Sequence, residues 1–385
     1  MPPALYVHIP FCLRRCSYCD FYLVPMGSGP ISGRQAGNDA PSQARFLDSL
    51  EAEIALLPSD FSPEVVYFGG GTPTELSLVD LQRLLALVRA RLAGRRPLEW
   101  TVEANPGTLT REKAAALAAA GVTRVSLGVQ SFQPRVLEFL GRFHRAPEIA
   151  DAVNMLRGVG IQNLSLDLIF AVPGTTMDDT RADLDALLAL EPGHVSCYCL
   201  EYEAGSDLTL LLKKNFIREL PEDLVAAQYE CIRDTLAGAG VLQYEISNFA
   251  RPGSECRYNA ACWAGGEYLG CGPAAFSHVG GERFENVPSL HAYCARLAAG
   301  RSPVHYRERL APEARARELL VTGLRRTEGW DLARFRVDTG FDAITLGGAS
   351  LARLRADGLL EIIGGRLRLT RRAMLISDAV FTDLV

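Results

Sequence analysis

The chain has 385 residues, of which 48% are hydrophobic, and a formal net charge of −5 at pH 7 from 40 basic and 45 acidic residues. This apolar content can fill a large core and excludes global disorder, and the acidic balance excludes nucleic acid as an expected partner. No apolar run approaches the roughly 18 residues that span a bilayer, and the first residues lack a secretory-signal pattern. Ten cysteines without such a signal predict reduced thiols and a cytoplasmic protein.

Up to about residue 240, short β-branched or aromatic runs alternate with longer segments of helical period. The predicted strands are 5–10, 64–68, 98–103, 124–129, 163–170 and 194–201. The predicted helices are 44–57, 77–93, 110–120, 133–158, 177–190 and 222–238. This succession of βα units predicts an α/β fold whose parallel sheet is open or curled into a partial (β/α)6 TIM-like barrel. Between the first strand and the first helix, residues 25–43 are rich in Gly, Pro and Ser and predict a surface loop.

Two further regions follow the alternating part of the chain. A segment rich in Gly, Cys and aromatic residues, 244–284, breaks the alternation and opens a second region. Helical stretches from residue 311 lead to a hairpin around Gly364-Gly365, which predicts a smaller C-terminal α/β domain with a winged-helix-like form. We therefore expect domain boundaries at 1–240, 241–310 and 311–385.

Three cysteines directly follow the first predicted strand as Cys-x3-Cys-x2-Cys. Thiolates at Cys12, Cys16 and Cys19 can converge on one soft metal centre, and a four-iron cluster with three protein ligands keeps one iron open. A structural zinc site needs a fourth ligand, for which His8 is the nearest candidate. Three unrelated buried cysteines are the other alternative, but the short spacing favours an iron–sulfur cluster.

At these cysteines the sequence resembles the radical S-adenosylmethionine (SAM) superfamily, whose signature has this spacing and an aromatic residue, here Tyr18, before the last cysteine. The flanking residues 6–12 and 18–21 are more similar to one branch, which contains oxygen-independent coproporphyrinogen III oxidase (HemN) and the heme chaperone HemW. The resemblance runs through about residues 5–285. It implies a radical SAM core with a [4Fe–4S] cluster on Cys12, Cys16 and Cys19 and with bound SAM.

The resemblance also assigns residues to SAM. The loop Gly70-Gly71-Thr72 closes the second strand, and in this family it lies against the SAM amino group; its glycines let the backbone approach closely. The other residues that the resemblance places at the SAM site are Tyr6, Tyr18, Glu103, Gln130, Arg142 and Asp167. Carboxylates and amides suit ribose hydroxyls and an ammonium group because they make charge-assisted hydrogen bonds.

Within this branch, position 21 distinguishes the oxidase pattern from the chaperone pattern. Phe21 stands where the oxidase pattern has a further cysteine, so coproporphyrinogen oxidation is not expected. The resemblance then implies a heme chaperone that delivers heme to acceptor proteins, including membrane-associated ones, with peripheral membrane association and an external electron donor. The alternative function is a radical SAM oxidoreductase that acts on a porphyrinogen, and a zinc-binding structural protein is the third reading.

The heme ligand is less clear from the sequence. The His-Asn-x-x-Tyr-Trp motif of the chaperone pattern aligns with residues 258–263, where Tyr258 and Cys262 replace its histidine and tyrosine. A second family histidine aligns with Phe276, and His278 shares a face with it if this segment is a strand. Tyrosine and cysteine also ligate heme iron, so the heme candidates are His278, Cys262 and Tyr258. The remaining histidines include His194, His291 and His305, which read as surface or capping residues.

Overall fold

A computed structural model describes residues 4–27 and 42–385, so most of the loop predicted at 25–43 lies outside the described residues. The strands are β1 (Ala4–Ile9), β2 (Phe11–Cys12), β3 (Val24–Pro25), β4 (Val65–Gly70), β5 (Glu99–Ala104), β6 (Arg124–Gln130), β7 (Asn163–Phe170), β8 (His194–Cys199), β9 (Leu242–Gln243), β10 (Asn248–Ala250), β11 (Tyr268–Cys271), β12 (Phe276–Val279), β13 (Glu282–Asn286), β14 (Val304–Glu308), β15 (Trp330–Asp331), β16 (Leu360–Ile363) and β17 (Arg366–Leu369). The helices are α1 (Gln43–Leu56), α2 (Leu78–Leu92), α3 (Arg111–Ala120), α4 (Pro134–Phe139), α5 (Ala146–Gly158), α6 (Met177–Leu188), α7 (Asp207–Lys213), α8 (Glu222–Gly238), α9 (Arg257–Trp263), α10 (Leu290–Ala298), α11 (Pro312–Leu324), α12 (Leu332–Thr339), α13 (Ala343–Ala356) and α14 (Ser377–Thr382). Single 3-10 turns lie at Pro73–Glu75, Pro106–Thr108 and Arg371–Ala373.

The six predicted strands form one parallel sheet in the order β1-β4-β5-β6-β7-β8. Each new strand is added beside the previous one without a reversal, which is the progression of a barrel rather than of a doubly wound sheet. The outer edge of β1 pairs with β11 and that of β8 with β10. In the described part of the chain, β1 and β8 therefore do not pair with each other, and the α/β sheet is an open, partial barrel by its hydrogen bonds.

Helices cover one face of this sheet, and local sequence signals set their ends. The side chains of Ser42, Ser77, Thr110 and Thr176 accept the N-capping hydrogen bonds of α1, α2, α3 and α6. The prediction of one helix from 133 to 158 is wrong. The chain there forms α4 and α5, because Gly141 turns the backbone with a φ of +72°.

Alternate residues of the six strands point to opposite faces and differ in chemistry. The helix-covered face is apolar and includes Leu5, Val7, Phe68, Trp100 and Val102, all with no exposed surface. We call the opposite side the polar face; its residues are Tyr6, His8, Tyr67, Glu99, Thr101, Glu103, Arg124, Ser126, Ser165, Asp167, His194, Ser196 and Tyr198. Residues from 244–263, including α9, contact this face.

The rest of the chain extends the sheet and adds a second one. Strand β11 lies parallel to β1, and β12, β13 and β14 follow as antiparallel neighbours. The C-terminal residues run α11-β15-α12-α13-β16-β17, and the strands form a sheet in the order β15-β17-β16. Gly364 and Gly365 take φ values of 57° and 77° in the predicted hairpin, which confirms the wing of the winged-helix-like domain. No helix among the described residues is long and apolar enough to cross a membrane.

Candidate functional site

The three cysteines lie on a loop at the carboxyl end of β1, and neighbouring loops hold this loop in place. Ser17 donates from its backbone N–H to the Leu140 carbonyl (3.2 Å) and from its hydroxyl to the Phe139 carbonyl (3.0 Å). The backbone N–H of Leu208 donates to the Ser17 carbonyl over 3.1 Å. A Cβ at Gly141 would lie 3.3 Å from the Ser17 nitrogen, so glycine permits this close approach. The loop is thus fixed between α4 and α7.

Each thiol of the loop has its own environment. The Cys12 Sγ lies 3.3 Å from the Thr72 hydroxyl, and the Arg142 guanidinium donates to the Cys16 Sγ over 3.4 Å. Burial, with a smaller contribution from the neighbouring thiols, raises the pKa of Cys12 to about 12 and that of Cys19 to about 11. Thiols with such pKa values are protonated at neutral pH, so a metal centre must displace their protons when it binds.

The donor set fits an iron–sulfur centre better than zinc. Among residues 4–27 and 42–385, no three His, Cys, Asp or Glu side chains are already gathered in metal-binding geometry. The nitrogens of His8 are both engaged, one with the Tyr6 hydroxyl (3.1 Å) and one with the Tyr22 carbonyl (2.9 Å), so His8 does not supply a fourth zinc ligand. The Arg142 Nε is buried and has no partner in the described structure. A spare cationic donor beside three thiols suits an anionic cluster with one open iron.

The glycine-rich loop after β4 packs directly on the start of the cysteine loop. The backbone N–H groups of Gly71 and Thr72 donate to the carbonyls of Ile9 (2.8 Å) and Phe11 (2.7 Å). A Cβ at Gly71 would lie 2.5 Å from the Phe11 oxygen, and Gly70 has a φ of +99°. These glycines are therefore required for contact between two protein loops, a reason that the sequence alone did not reveal.

Two carboxylates of the polar face are Glu103 and Asp167, and that of Glu103 is next to this loop, 3.0 Å from where a Cβ at Gly69 would lie. Glu103 accepts a 2.7 Å hydrogen bond from the Tyr67 hydroxyl, and burial followed by the charge of Asp167 raises its pKa to about 7. Asp167 accepts hydrogen bonds from Ser126 (3.1 Å) and Ser165 (3.0 Å), and burial raises its pKa. The pair can bind hydroxyl or ammonium donors, whose contacts would favour the ionised forms.

Gln130 lies at a backbone turn that is held by hydrogen bonds from the residues after it to Asp183 on α6. Its φ of +68° lies in the left-handed region, at a register irregularity between β6 and β7. Asp183 on α6 accepts hydrogen bonds from the Ser131 hydroxyl (2.7 Å) and the Phe132 N–H (2.8 Å) directly after this turn. His144 lies on the other side, where one ring nitrogen bonds the Val129 carbonyl. Asp183 has no motif of its own and was missed in the sequence.

A cluster of four tyrosines joins the sheet to α9. The ring of Tyr258 stacks on Tyr67 with centroids 4.8 Å apart and on Tyr6 at 5.9 Å, and it meets the edge of Tyr268 at 6.0 Å. Because Tyr67 also bonds Glu103, this cluster connects Tyr258, one of the heme candidates, to the predicted SAM residues. Tyr18 lies apart from it, within the cysteine loop, and packs against the hydrophobic cluster that includes Leu140.

The other two heme candidates lie on the far side of this tyrosine cluster. Burial raises the pKa of Cys262 to about 12, although a hydrogen bond from Tyr258 acts in the opposite direction. His278 sits on β12 opposite Tyr268. Its Nδ1 donates to the Gly266 carbonyl over 3.2 Å, and its Nε2 is buried without a partner in the described residues. Strand β12 is confirmed, although His278 is buried and Phe276 is 39% exposed.

His194 corrects one interpretation of the sequence. It is only 1% exposed, and its ring bonds the Ser165 hydroxyl (2.8 Å) and the Tyr244 hydroxyl (2.9 Å), so it is neither a surface nor a capping residue. Its position at the start of β8, with a parity that matches the polar residues Ser196 and Tyr198, was the available signal. Ser165 carried the same signal, because it lies two residues before Asp167 on β7, whereas Tyr244 carried none.

Comparison with known proteins agrees with this architecture. A model of the radical SAM superfamily matches residues 6–187, and one of the HemN C-terminal domain matches residues 310–376. The solved structure of coproporphyrinogen III oxidase (HemN) from Escherichia coli shares the fold, with a TM-score of 0.83 and 21% identity over 100% of this chain and 90% of that chain. The fold and the cysteine loop thus define a radical SAM protein.

Full-length relatives identify the family more narrowly. A protein of Mycobacterium tuberculosis named heme chaperone HemW is 37% identical over 100% of this chain and 95% of its own length. A Bacillus subtilis protein of the same name is 33% identical over 98% of this chain and 97% of its own. The chain belongs to the HemW family. Membership in the radical SAM superfamily implies a [4Fe–4S] cluster and SAM as its cofactors.

Proposed function

We propose that this protein is a heme chaperone that binds a [4Fe–4S] cluster, SAM and heme and passes heme to acceptor proteins. The observation that carries the cluster is the loop of Cys12, Cys16 and Cys19 with Arg142 donating to Cys16. When bound, the cluster supplies a reducible centre with one iron open to SAM. Residues of the chain hold the cysteine loop in place, and backbone hydrogen bonds join the glycine loop to it at the end of the sheet.

SAM is proposed to lie over the carboxyl ends of β1, β4, β5, β6 and β7, next to the cluster. In this proposal the loop of Gly70, Gly71 and Thr72 contacts SAM, and Tyr6 and Tyr18 also belong to the SAM site. The polar groups of SAM would be held by Glu103, Gln130, Arg142 and Asp167. The support for this arrangement is that Thr72 and Arg142 each contact a cluster cysteine, so the two predicted sets share one site.

His278 is the favoured heme ligand. Donation from its Nδ1 to Gly266 leaves a neutral ring with an unprotonated Nε2, the form of imidazole that binds iron. Tyr258 and Cys262 are instead engaged with each other and with the tyrosine cluster. Because the Nε2 is buried, heme binding at His278 requires local movement of α9 or β12.

The porphyrinogen oxidoreductase remains the alternative function. Phe21 is 63% exposed at the position of the additional oxidase cysteine, and a phenyl ring offers neither a thiol nor a proton to a substrate. We expect no conversion of coproporphyrinogen III to protoporphyrinogen IX by the reconstituted protein. Turnover above a control without enzyme would favour the oxidase over the chaperone.

The acceptors are proposed to include membrane-associated heme proteins, reached by peripheral contact of a cytoplasmic protein. The ten cysteines all lie in described residues as free thiols, which supports a reducing compartment. Reduction of the cluster would need an external electron donor.

The deciding experiment is heme titration of the anaerobically reconstituted protein, followed through the Soret band. Wild type should bind heme, His278→Ala should shift the band and weaken binding, and Cys262→Ala should not. His291→Ala, at an exposed position, is the matched control. A wild-type protein that binds no heme would eliminate the chaperone function for this chain. Loss of the broad iron–sulfur absorbance in Cys16→Ala, but not in Cys231→Ala, tests the cluster separately.

A further inference from the structure

A chain of hydrogen bonds crosses the polar face from Asp167 to the N-cap residue of α9. The Ser165 hydroxyl lies 3.0 Å from Asp167 Oδ1 and 2.8 Å from His194 Nδ1. The other ring nitrogen of His194 lies 2.9 Å from the Tyr244 hydroxyl. The backbone N–H of Cys256, the N-cap of α9, donates to this same hydroxyl over 3.4 Å. Four links therefore join a predicted SAM residue to the helix of two heme candidates.

Elementary chemistry fixes the direction of every link. An ionised Asp167 can only accept, so Ser165 donates to it and must accept from the Nδ1–H of His194. Burial, and then the charge of Arg124, lowers the pKa of His194 well below its ordinary value, so the ring is neutral and its Nε2 is bare. Tyr244 donates to that nitrogen and accepts from Cys256. In every hydrogen bond of the series, the donor is the member farther from Asp167. No member has a second proton that would allow the direction of donation to reverse.

Two neighbouring contacts hold the α9 end of the chain against the sheet. The Glu99 carboxylate accepts from the backbone N–H of Arg257 over 3.1 and 3.2 Å. Arg124 donates to the Ser254 carbonyl over 3.1 Å. With these contacts in place, the 3.4 Å link between Cys256 and Tyr244 is the longest and hence the weakest of the series. A change in this series of hydrogen bonds would first alter the bond between Cys256 and Tyr244.

We propose that Ser165, His194 and Tyr244 are positioning residues that couple the occupancy of Asp167 to the order of α9. A ligand hydroxyl that donates to Asp167 keeps the carboxylate ionised and fixed as the acceptor of Ser165, which strengthens a series of hydrogen bonds whose members each have one fixed partner on either side. SAM binding thereby changes the helix that carries Tyr258 and Cys262. This inference rests on the proposed function for the role of Asp167. Linkage requires that a ligand held by α9 changes SAM affinity by the same factor.

Hydrogen exchange with and without SAM tests the coupling in the cluster-loaded protein. In wild type, SAM should slow exchange both at 69–72 and at 257–263. Tyr244→Phe removes only the hydroxyl; it should keep the protection at 69–72 and lower that at 257–263 by at least about 5-fold. Ser165→Ala cuts the chain nearer Asp167 and should give the same loss at α9.

Tyr229→Phe is the matched control. Tyr229 is buried and donates its hydroxyl to the Ile246 carbonyl over 2.9 Å, but it lies outside the hydrogen-bond chain. The control should retain the wild-type protection at both segments. Full protection of α9 in Tyr244→Phe, or equal loss in Tyr244→Phe and Tyr229→Phe, would overturn the coupling. Failure of SAM to protect 69–72 in wild type would instead remove the proposed SAM site, and with it the trigger of the coupling.

Discussion

The two faces of the parallel sheet are built from alternate residues of the same strands, yet their chemistry is opposite. On β5, Trp100 and Val102 are fully buried against helices, whereas Glu99, Thr101 and Glu103 line the polar face. Parallel sheets covered on both sides are normally apolar on both. Here one face retains carboxylates and hydroxyls that bond one another and residues 244–263. The apolar face should therefore determine stability, and the polar face should determine binding.

The largest effect is expected on the apolar face. Phe68 is fully buried and meets the Trp100 ring edge-on at 5.5 Å, so Phe68→Ala leaves a cavity and should lower the free energy of unfolding by about 3–5 kcal/mol. Denaturant unfolding measures this change. Phe216→Ala, at a side chain that is 72% exposed, should change it by less than about 0.5 kcal/mol. A loss below about 1 kcal/mol for Phe68→Ala would contradict the division between the faces.

Glu53 is an exception that sharpens the comparison, because it is a carboxylate buried on the helix side. It accepts from the Gly272 N–H (2.7 Å) and the Tyr293 hydroxyl (2.6 Å), and burial raises its pKa from 4.5 to about 7. The folded protein thus binds more protons than the unfolded chain between these pH values. This site's contribution to stability falls as pH rises from about 4.5 to 7 and is constant above.

Glu53→Gln removes that titration. The free energy of unfolding of the variant, relative to wild type, should rise by roughly 3 kcal/mol between pH 4.5 and 7.5. The comparison cancels the titration of all other groups, and denaturant unfolding at several pH values measures it. Glu64→Gln, at an exposed position, should show no such trend. A difference that is constant with pH would show that Glu53 is ionised in the folded protein throughout.

On the polar face, the expected effect is on binding. Asp167→Asn removes a charged acceptor while keeping the shape, and should weaken SAM binding roughly 10- to 100-fold, the size of a lost charge-assisted hydrogen bond. Calorimetric titration of the cluster-loaded protein measures this affinity. Asp178→Asn, whose carboxylate pairs with Arg181 at the surface, is the control. Unchanged SAM affinity in Asp167→Asn would place SAM away from β7.

The smallest effect concerns a hydroxyl of the polar face. The Thr101 Oγ1 is buried without a partner in the described residues, so Thr101→Val should stabilise the protein by about 1 kcal/mol. Thr180→Val removes a buried hydroxyl that donates to the Thr176 carbonyl, and it should destabilise by a similar amount. If the presence of a hydrogen-bond partner decides the effect, thermal unfolding should show a raised melting temperature for Thr101→Val and a lowered one for Thr180→Val. Destabilisation by Thr101→Val would mean that its hydroxyl is bonded in solution.

The parallel core could be predicted because its signals are local. Short runs of β-branched and aromatic residues predicted every strand of the six, and capping residues such as Ser77 and Thr110 set helix ends within a residue or two. The break between α4 and α5 was missed because the helix was predicted from its periodicity, whereas Gly141 takes a left-handed turn and packs closely on Ser17, 124 positions away in the chain. Local periodicity contains no such information.

The site was predicted less completely, for a similar reason. Motif spacing located the three cysteines and the glycine loop. The supports of that site, Tyr67 for Glu103 and Asp183 for the turn at Gln130, are single residues on other strands or helices. Their roles arise only when the sheet forms. The environment of His278 likewise depends on β11 and on the Gly266 carbonyl, and the sequence supplied only the strand parity.

The segment that covers the polar face has a consequence for folding during synthesis of the protein on the ribosome. The last core strand ends at Cys199, but the segment that meets Glu99 and Arg124 begins only at Tyr244. At about 5–20 residues per second, a ribosome needs roughly 2–9 s to add the intervening residues. During that interval the nascent sheet can already shield its apolar face with helices, while Glu99, Arg124 and His194 remain open to water. Cluster insertion during this interval would meet an accessible cysteine loop before residues 244–385 exist.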